Sequence, residues 1–352
     1  MINKFRFIFT VVFAMLAAGM LSPAEAQNSK PIVPASNSLV RSLPASDAVI
    51  AFNAQKFLDT ALPQLLGADS PKLAEINAHI SDIKAKTGLD LRQFEQATVG
   101  VKYRQVSPTE IDFEPVILAG GKFNAGAMVA LLKIAAKGKY REEQASGKTF
   151  YVLQMNELLA QAAPNSQKSS SIEKLMGKVL QTFRGELAVG ALNEKTLAMG
   201  TVARVREAFT ESAPLSVELQ TLGSAKPGTM LSFAGNVPVG VSEMFDLGND
   251  EISKILNSLK TVSGHLDMNG ANASLMIAGK TGTVEQAMNL EDTMNGLRAL
   301  GEAFVSMMKA SANEKDLYNR LIQNAKISRS AKQVQIDLLL TQNDLSILAK
   351  KL

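Results

Sequence analysis

Apolar runs of strand length recur along the chain, separated by helical patterns and turns. The runs lie at 47–54, 97–106, 113–123, 147–155, 185–200, 230–236, 261–268, 272–282 and 326–340. Many of them come in adjacent pairs between helices, an order that favours an antiparallel over a doubly wound parallel sheet. The pattern therefore predicts an α+β fold, with a mainly antiparallel sheet and helices packed on one face.

Helix start and stop signals are clearest over residues 70–88. Ser70 suits the N-cap, Pro71 suits the first helical position, and Gly88 ends the pattern. The apolar positions between them follow the helical period, which predicts an amphipathic helix. Other helical patterns, the first interrupted by Pro63, lie at 57–66, 125–136, 203–211, 250–260, 287–309 and 342–352.

The order of elements in the second half repeats the order in the first. The run 230–236 corresponds to the run near 50, and 272–282 corresponds to 113–123, each of these last two being followed by a helical pattern. The alternative is that two unrelated α+β halves share this order. We predict two related modules, 44–212 and 213–352, the first with a polar excursion near 159–171.

The N-terminus has the three parts of a secretory signal peptide. Lys4 and Arg6 precede an apolar run at 7–21, and Ala24-Glu25-Ala26 is an A-x-A cleavage site. The alternative is an uncleaved anchor, but the run is shorter than the ~18 to 20 residues that a spanning helix needs. We expect residues 1–26 to be removed, 27–43 to form a flexible leader, and no span in the mature chain.

Cysteine usage and charge narrow the class of protein. The chain has no Cys, so an exported form can contain no disulfide and no thiolate metal site. Its net charge is +4 and no basic stripe with interleaved aromatics occurs, which argues against nucleic-acid binding. We expect a periplasmic or secreted globular protein, with no disulfide and no cofactor.

Lys280-Thr281-Gly282 matches the third signature of serine penicillin-binding proteins and β-lactamases. That chemistry also needs a nucleophilic Ser one helical turn before a Lys, and a Ser-x-Asn. Ser81/Lys84 and Ser171/Lys174 have the first spacing, but no Ser-x-Asn separates either pair from Lys280. We therefore interpret the tripeptide as part of a strand end that turns into a helix. In the repeat, Gly279-Lys280 corresponds to Gly121-Lys122; the Gly permits backbone angles that other residues avoid, and the Lys keeps the strand end solvated.

Other candidate sites have a structural explanation beside the functional one. His79 and His265 are isolated, too few for a His-rich zinc site. Asp246, Asp250 and Glu251 resemble an oxygen-ligand loop for calcium, although a helix N-cap at Asn249 or Asp250 also explains them. No metal site is predicted from these residues.

The helical segment 287–309 is rich in Met and other large apolar residues. These are Met288, Leu290, Met294, Leu297, Phe304, Met307 and Met308. Such a face can form a groove for an apolar ligand or a partner helix. A core face over a sheet fits the spacing equally well.

Several stretches resemble a family of uncharacterised exported proteins of environmental, mainly acidobacterial, bacteria. They are 43–66, 86–103, 121–153 and 324–340. The resemblance covers nearly the whole mature chain, supports two modules, and implies no activity, cofactor or site residue.

The sequence thus favours an exported, non-enzymatic protein of the cell envelope or periplasm. It would bind a partner protein or apolar ligand, in a groove between the modules or along the Met-bearing helix. One alternative is a hydrolase or transferase with a dispersed active site, and another is a structural spacer.

Overall fold

All described strands belong to one antiparallel sheet. The computed structural model describes residues 36–67, 70–107, 110–154, 185–211, 213–224, 229–244, 250–270 and 272–349. The strands are β1 (Ala48–Asn53), β2 (Phe94–Ser107), β3 (Glu110–Gly121), β4 (Tyr140–Ala145), β5 (Lys148–Gln154), β6 (Glu186–Asn193), β7 (Thr196–Gly200), β8 (Leu231–Asn236), β9 (Leu259–Asn269), β10 (Asn272–Thr281), β11 (Lys326–Ser330) and β12 (Gln333–Leu340). Their order is β11-β12-β10-β9-β8-β1-β2-β3-β7-β6-β5-β4. The predicted α+β class and antiparallel sheet are confirmed.

Eleven α-helices in the described residues accompany the sheet. They are α1 (Ser36–Arg41), α2 (Ala54–Lys56), α3 (Leu62–Leu66), α4 (Pro71–Thr87), α5 (Ala125–Ala135), α6 (Val202–Phe209), α7 (Val217–Gly223), α8 (Asp250–Ser258), α9 (Val284–Met307), α10 (Ala312–Asn324) and α11 (Gln342–Ala349). A π-helical turn, Phe57–Ala61, joins α2 to α3. No described helix combines the length and apolar character needed to cross a bilayer.

The predicted caps of α4 are confirmed. The Ser70 side chain accepts a hydrogen bond from the Lys72 N–H, Pro71 is the first helical residue, and Gly88 ends the helix in the left-handed conformation. Backbone groups at helix ends lack intrahelical partners. Ser70 supplies an acceptor for one such N–H, Pro71 has no N–H, and Gly88 donates its N–H to the Lys84 carbonyl.

The two faces of the sheet are distinguished by strand alternation. Val49, Val116 and Ala188 lie on the face covered by α1, α6 and α7, here called the α7 face. Ile50, Ile117 and neighbours in register lie on the opposite face, here called the α9 face.

In the first half, helices cover both faces rather than the predicted one. Helix α5 packs on β6 through Val189 on the α9 face, whereas α6 packs on the same strand through Ala188 on the α7 face. The reason is that β6 places buried apolar residues on both of its sides. A strand with two apolar sides needs cover on both.

The strand order is the same on either side of the central β1/β8 pair. It is β1-β2-β3-β7-β6 in one direction and β8-β9-β10-β12-β11 in the other. The hairpin β4–β5 has no counterpart in this order. The internal repeat itself stays a prediction.

The end of the predicted leader is part of the folded structure. Residues 36–43 belong to the predicted flexible leader, yet 36–41 are helical and Val40 and Leu43 are buried in the core. The predicted signal peptide, the rest of the leader, and the excursion 159–171 lie outside the described residues.

Candidate functional site

Lys280-Thr281-Gly282 marks the end of β10 and the turn into α9, as predicted. Strand β10 ends at Thr281, and α9 begins at Val284 behind a capping box of Thr283 and Gln286. The corresponding Gly121 ends β3, and α5 begins at Ala125. In both places the chain passes from strand to helix within three residues.

The predicted reason for glycine at these turns is wrong. Gly121 and Gly279 do not have positive φ angles. A Cβ on Gly121 would instead lie 1.9 Å from the Gln93 carbonyl oxygen, and one on Gly279 would lie 2.8 Å from Leu259 Cδ2. Close approach of neighbouring atoms, not backbone conformation, excludes a side chain at Gly121.

An open concavity of about 470 Å³ lies on the α7 face beside Lys280. Helix α7 forms one wall, and strands β9, β10 and β12 form the floor. Its lining residues are Val217, Glu218, Thr221, Leu222, Thr261, Ser263, Ala278, Lys280 and Gln333. We call it the Lys280 concavity; its volume falls in the range usual for small-molecule sites.

Two hydroxyl side chains on the floor have no protein hydrogen-bond partner in the described part of the chain. Thr261 and Ser263 occupy alternate positions of β9, and little of either residue is exposed, 6% and 7%. Neither hydroxyl is among the described buried side-chain atoms that lack a partner, so water reaches both from the open concavity that they line. A bound molecule can take the place of that water.

Lys280 forms an ion pair at the edge of the concavity. Its ammonium nitrogen lies 2.7 Å from Glu218 Oε1, and the side chains are 49% and 46% exposed. Because both groups are half-exposed, the net free energy of the pair is about 0 to 1 kcal/mol. The pair can therefore open at low cost.

The arrangement around Lys280 does not reproduce an acyl-enzyme centre. Lys280 lies opposite Thr261 and diagonally from Ser263, a relation that places Cα atoms about 7 to 8 Å apart. Both edges of β9 are hydrogen-bonded, to β8 and to β10, so N–H groups around Ser263 are not available to stabilise an oxyanion. The Thr281 hydroxyl is buried within hydrogen-bond distance of the Thr283 and Lys332 carbonyls.

The other sequence candidates lie apart from the concavity. Ser81 donates to the Asn77 carbonyl within α4, and Lys84 is paired with Asp90 at 2.7 Å. Ser171/Lys174 and Asp246 lie outside the described residues, while Asp250 and Glu251 begin α8.

The two histidines are also separate. His79 lies on α4, 3.8 Å from Glu75, whereas His265 lies on β9, two residues beyond Ser263 and on the same face. No group of three or more acidic or His residues in the described ranges is placed to hold a metal ion.

The Met-bearing helix divides its apolar residues between core and solvent. In α9, Ala287, Leu290 and Val305 are buried, and Met294 packs against the cluster of Ala287 and Leu290 from a partly buried position. The exposed residues include a stripe at helical spacing, here called the α9 stripe: Leu297, Leu300, Phe304 and Met307. One side of the helix is therefore a core face, and binding through the exposed side stays a prediction.

Sequence reasoning found Lys280 but missed its surroundings. Glu218 is 62 positions away in sequence, and only the docking of α7 on the sheet brings it to Lys280. One available signal was the alternation in β9, where polar Thr261 and Ser263 are interleaved with Val262 and Gly264. That alternation is typical of a sheet with one face incompletely covered.

The comparisons with known proteins gave no matching family and some distant structural similarity. No protein-family model matches the chain, and no curated protein matches it. Solved structures of TP0453 are similar: crystal form I with TM-score 0.39 and 10% identity, over 92% of this chain and 98% of that one, and crystal form III with TM-score 0.41 and 10% identity, over 92% and 99%. Crystal form IV has TM-score 0.41 and 8% identity, over 90% and 99%.

Proposed function

We propose that this chain is an exported, non-enzymatic binding protein that holds a small, partly apolar ligand in the Lys280 concavity. The concavity carries the proposal, because the two hydroxyls on its floor have no protein partner in the described residues and face the space that a ligand would fill. Val217, Leu222 and Ala278 supply apolar contact in the same space. The signal-like residues 4–26 and the resemblance to exported proteins support export.

The concavity lies within the second half of the chain, not between the predicted modules. Strands β1 and β8, which border that boundary, are paired from Ala48↔Gly235 to Phe52↔Leu231. Continuous pairing leaves no cleft through the sheet between these two strands. We therefore propose the site beside α7, where the concavity lies.

The test compares ligand binding by the wild-type protein with binding by a variant whose concavity is filled by a larger side chain. Ligand-observed NMR of the purified protein would be recorded with octanoate, octanol and octylamine. Ala278→Leu projects a larger side chain into the floor, and Ala127→Leu on α5 serves as the control. We expect signals with the wild-type chain that Ala278→Leu abolishes and the control retains. Absence of binding by all three compounds, or equal binding to Ala278→Leu, would refute this function.

A second candidate function is protein contact through the α9 stripe. Its four large side chains expose roughly 450 Å² of apolar surface, within the range of functional patches on monomers. Because the residues follow one side of a helix, two copies can place their stripes against each other in antiparallel orientation. A second copy of the chain is thus the partner that we test.

Sedimentation measures this contact directly. We expect the wild-type protein to form dimers weakly, at high concentration, because the stripe alone buries less than a standard interface. Phe304→Ser should abolish the dimer, while Val239→Ser, which replaces another exposed apolar residue, should not. A wild-type chain that stays monomeric at all concentrations would contradict self-association.

A further inference from the structure

From the ion pair and the charges around it, we infer that the ligand of the Lys280 concavity is an amphiphilic monocarboxylate, and that Glu218 occupies the carboxylate position when the ligand is absent. This inference rests on the proposed function and specifies its ligand. The Lys280 ammonium already donates to a carboxylate, Glu218 Oε1, at 2.7 Å. A ligand carboxylate can take the same place when Glu218 turns toward solvent, because Glu218 is half-exposed.

The placement of the two charged lining residues favours an anion over a cation. Among the described residues of the lining the cation, Lys280, belongs to strand β10 of the floor, and the anion, Glu218, belongs to helix α7 of the wall. A carboxylate bound over the floor therefore meets Lys280. An amine ligand that took Glu218 would leave the Lys280 ammonium without its partner beside a second cation, which is unfavourable.

The lining favours a ligand with an apolar body. Ala278 is buried in the floor, Leu222 is half-buried in the wall, and Val217 is largely exposed at the mouth. An alkyl chain laid along this path removes their apolar surface from water. The Thr261 and Ser263 hydroxyls and the Gln333 amide can donate to the second carboxylate oxygen or to a substituent near the head group.

The first half of the chain offers a matched control pair. Lys122 follows the end of β3 as Lys280 lies near the end of β10, and its ammonium is 3.0 Å from Glu95 Oε1, with Lys122 63% exposed. Lys122 does not line the Lys280 concavity. The two ion pairs are alike in chemistry and exposure, and differ in the space beside them.

Titration calorimetry with octanoate, octanol and octylamine tests the inference. We expect octanoate to bind at least about tenfold more tightly than the other two. Lys280→Met should weaken octanoate binding by about tenfold or more and Lys280→Arg should restore most of it, whereas Glu218→Gln should tighten binding several-fold because it removes the internal competitor. Lys122→Met and Glu95→Gln should leave binding unchanged.

The outcomes separate this inference from the proposed function. Equal or tighter binding of octanol or octylamine, with loss in Ala278→Leu, would keep the concavity as a site and overturn the carboxylate. Weaker octanoate binding in Glu218→Gln, or equal loss in Lys122→Met and Lys280→Met, would also overturn it. Failure of all three compounds to bind would overturn both.

Discussion

Two ion pairs of equal length should differ greatly in their contribution to stability. Lys280–Glu218 and Arg320–Asp344 both have an N–O distance of 2.7 Å, but the Asp344 side chain is 1% exposed and the Glu218 side chain 46%. Asp344 also accepts from the Thr341 N–H at 2.9 Å and the Thr341 hydroxyl at 2.8 Å, at the start of α11. One carboxylate thus serves both an ion pair and a helix cap.

The decrease in the free energy of unfolding expected for Asp344→Ala follows from the donors that lose their acceptor. Breaking a buried ion pair costs about 3 to 5 kcal/mol, and losing a cap costs about 1 kcal/mol. Arg320 is 38% exposed, so water recovers part of its loss. We expect a decrease of about 3 kcal/mol in the free energy of unfolding, against less than about 1 kcal/mol for Lys280→Met.

Urea unfolding followed by circular dichroism provides the measurement, with unchanged m-values as the condition for comparison. The comparison also tests a condition for ligand binding. A ligand carboxylate can replace Glu218 only if breaking the Lys280–Glu218 ion pair costs little free energy. Equal losses in the two variants would refute the reasoning from burial. So would a loss of more than about 2 kcal/mol in Lys280→Met.

Four further predictions concern the core, the turns, pH and processing. Phe150→Ala should lower the free energy of unfolding in urea by about 3 to 5 kcal/mol, because Phe150 is fully buried and its ring lies 5.5 Å from that of Phe209. Phe304→Ala should lower it by less than about 0.5 kcal/mol, because Phe304 is exposed. Gly121→Ala should lower the free energy of unfolding by more than about 1 kcal/mol, because its Cβ would meet the Gln93 carbonyl. Gly296→Ala should raise it by up to about 1 kcal/mol, because Gly296 lies within a helix and no atom is near the position of the added Cβ. Burial raises the pKa of Asp344, but hydrogen bonds from Arg320 and Thr341 outweigh it and hold that pKa below the ordinary 3.8. The contribution of the ionised Asp344 to the free energy of unfolding should therefore be complete above pH 3.8 and be lost as pH falls through the lower folded pKa. The free energies of unfolding of the wild type and of Asp344→Asn should converge in acid. Mass spectrometry of the protein expressed in a secreting host should find Gln27 as the first residue, and an intact N-terminus would contradict cleavage after Ala26.

Local signals in the sequence were sufficient for most elements of the fold. The caps of α4 at Ser70 and Gly88, and the strand-to-helix turn at Lys280, depend on neighbouring residues, so short stretches of sequence reveal them. The burial of Val40 and Leu43 depends on distant strands instead. Residues 36–43 therefore look like a polar leader in sequence and belong to the core in the structure.

The candidate site was less predictable because its parts meet only through long-range pairing. Glu218, Ser263 and Gln333 come from a helix and two strands far apart in the chain. The strand pattern shows that Thr261 and Ser263 lie on one face of β9 and Val262 on the other, but it does not show which of the two faces a helix will cover. That choice decides whether a polar strand residue is a solvated surface group or part of a binding floor.

The position of the concavity follows from unequal cover on the α7 face. In the first half, α6 follows β7 and packs across β7, β3 and β6 on that face. In the second half, α11 follows β12 but packs against α3, α10 and β10, within an apolar cluster that includes Phe52 and Leu340. Among the described helices, only α7 therefore borders the corresponding part of the α7 face, and the floor of β9, β10 and β12 beside it is open. A polar floor is the expected consequence, because strand positions without a helix above them must remain compatible with water until a ligand replaces it.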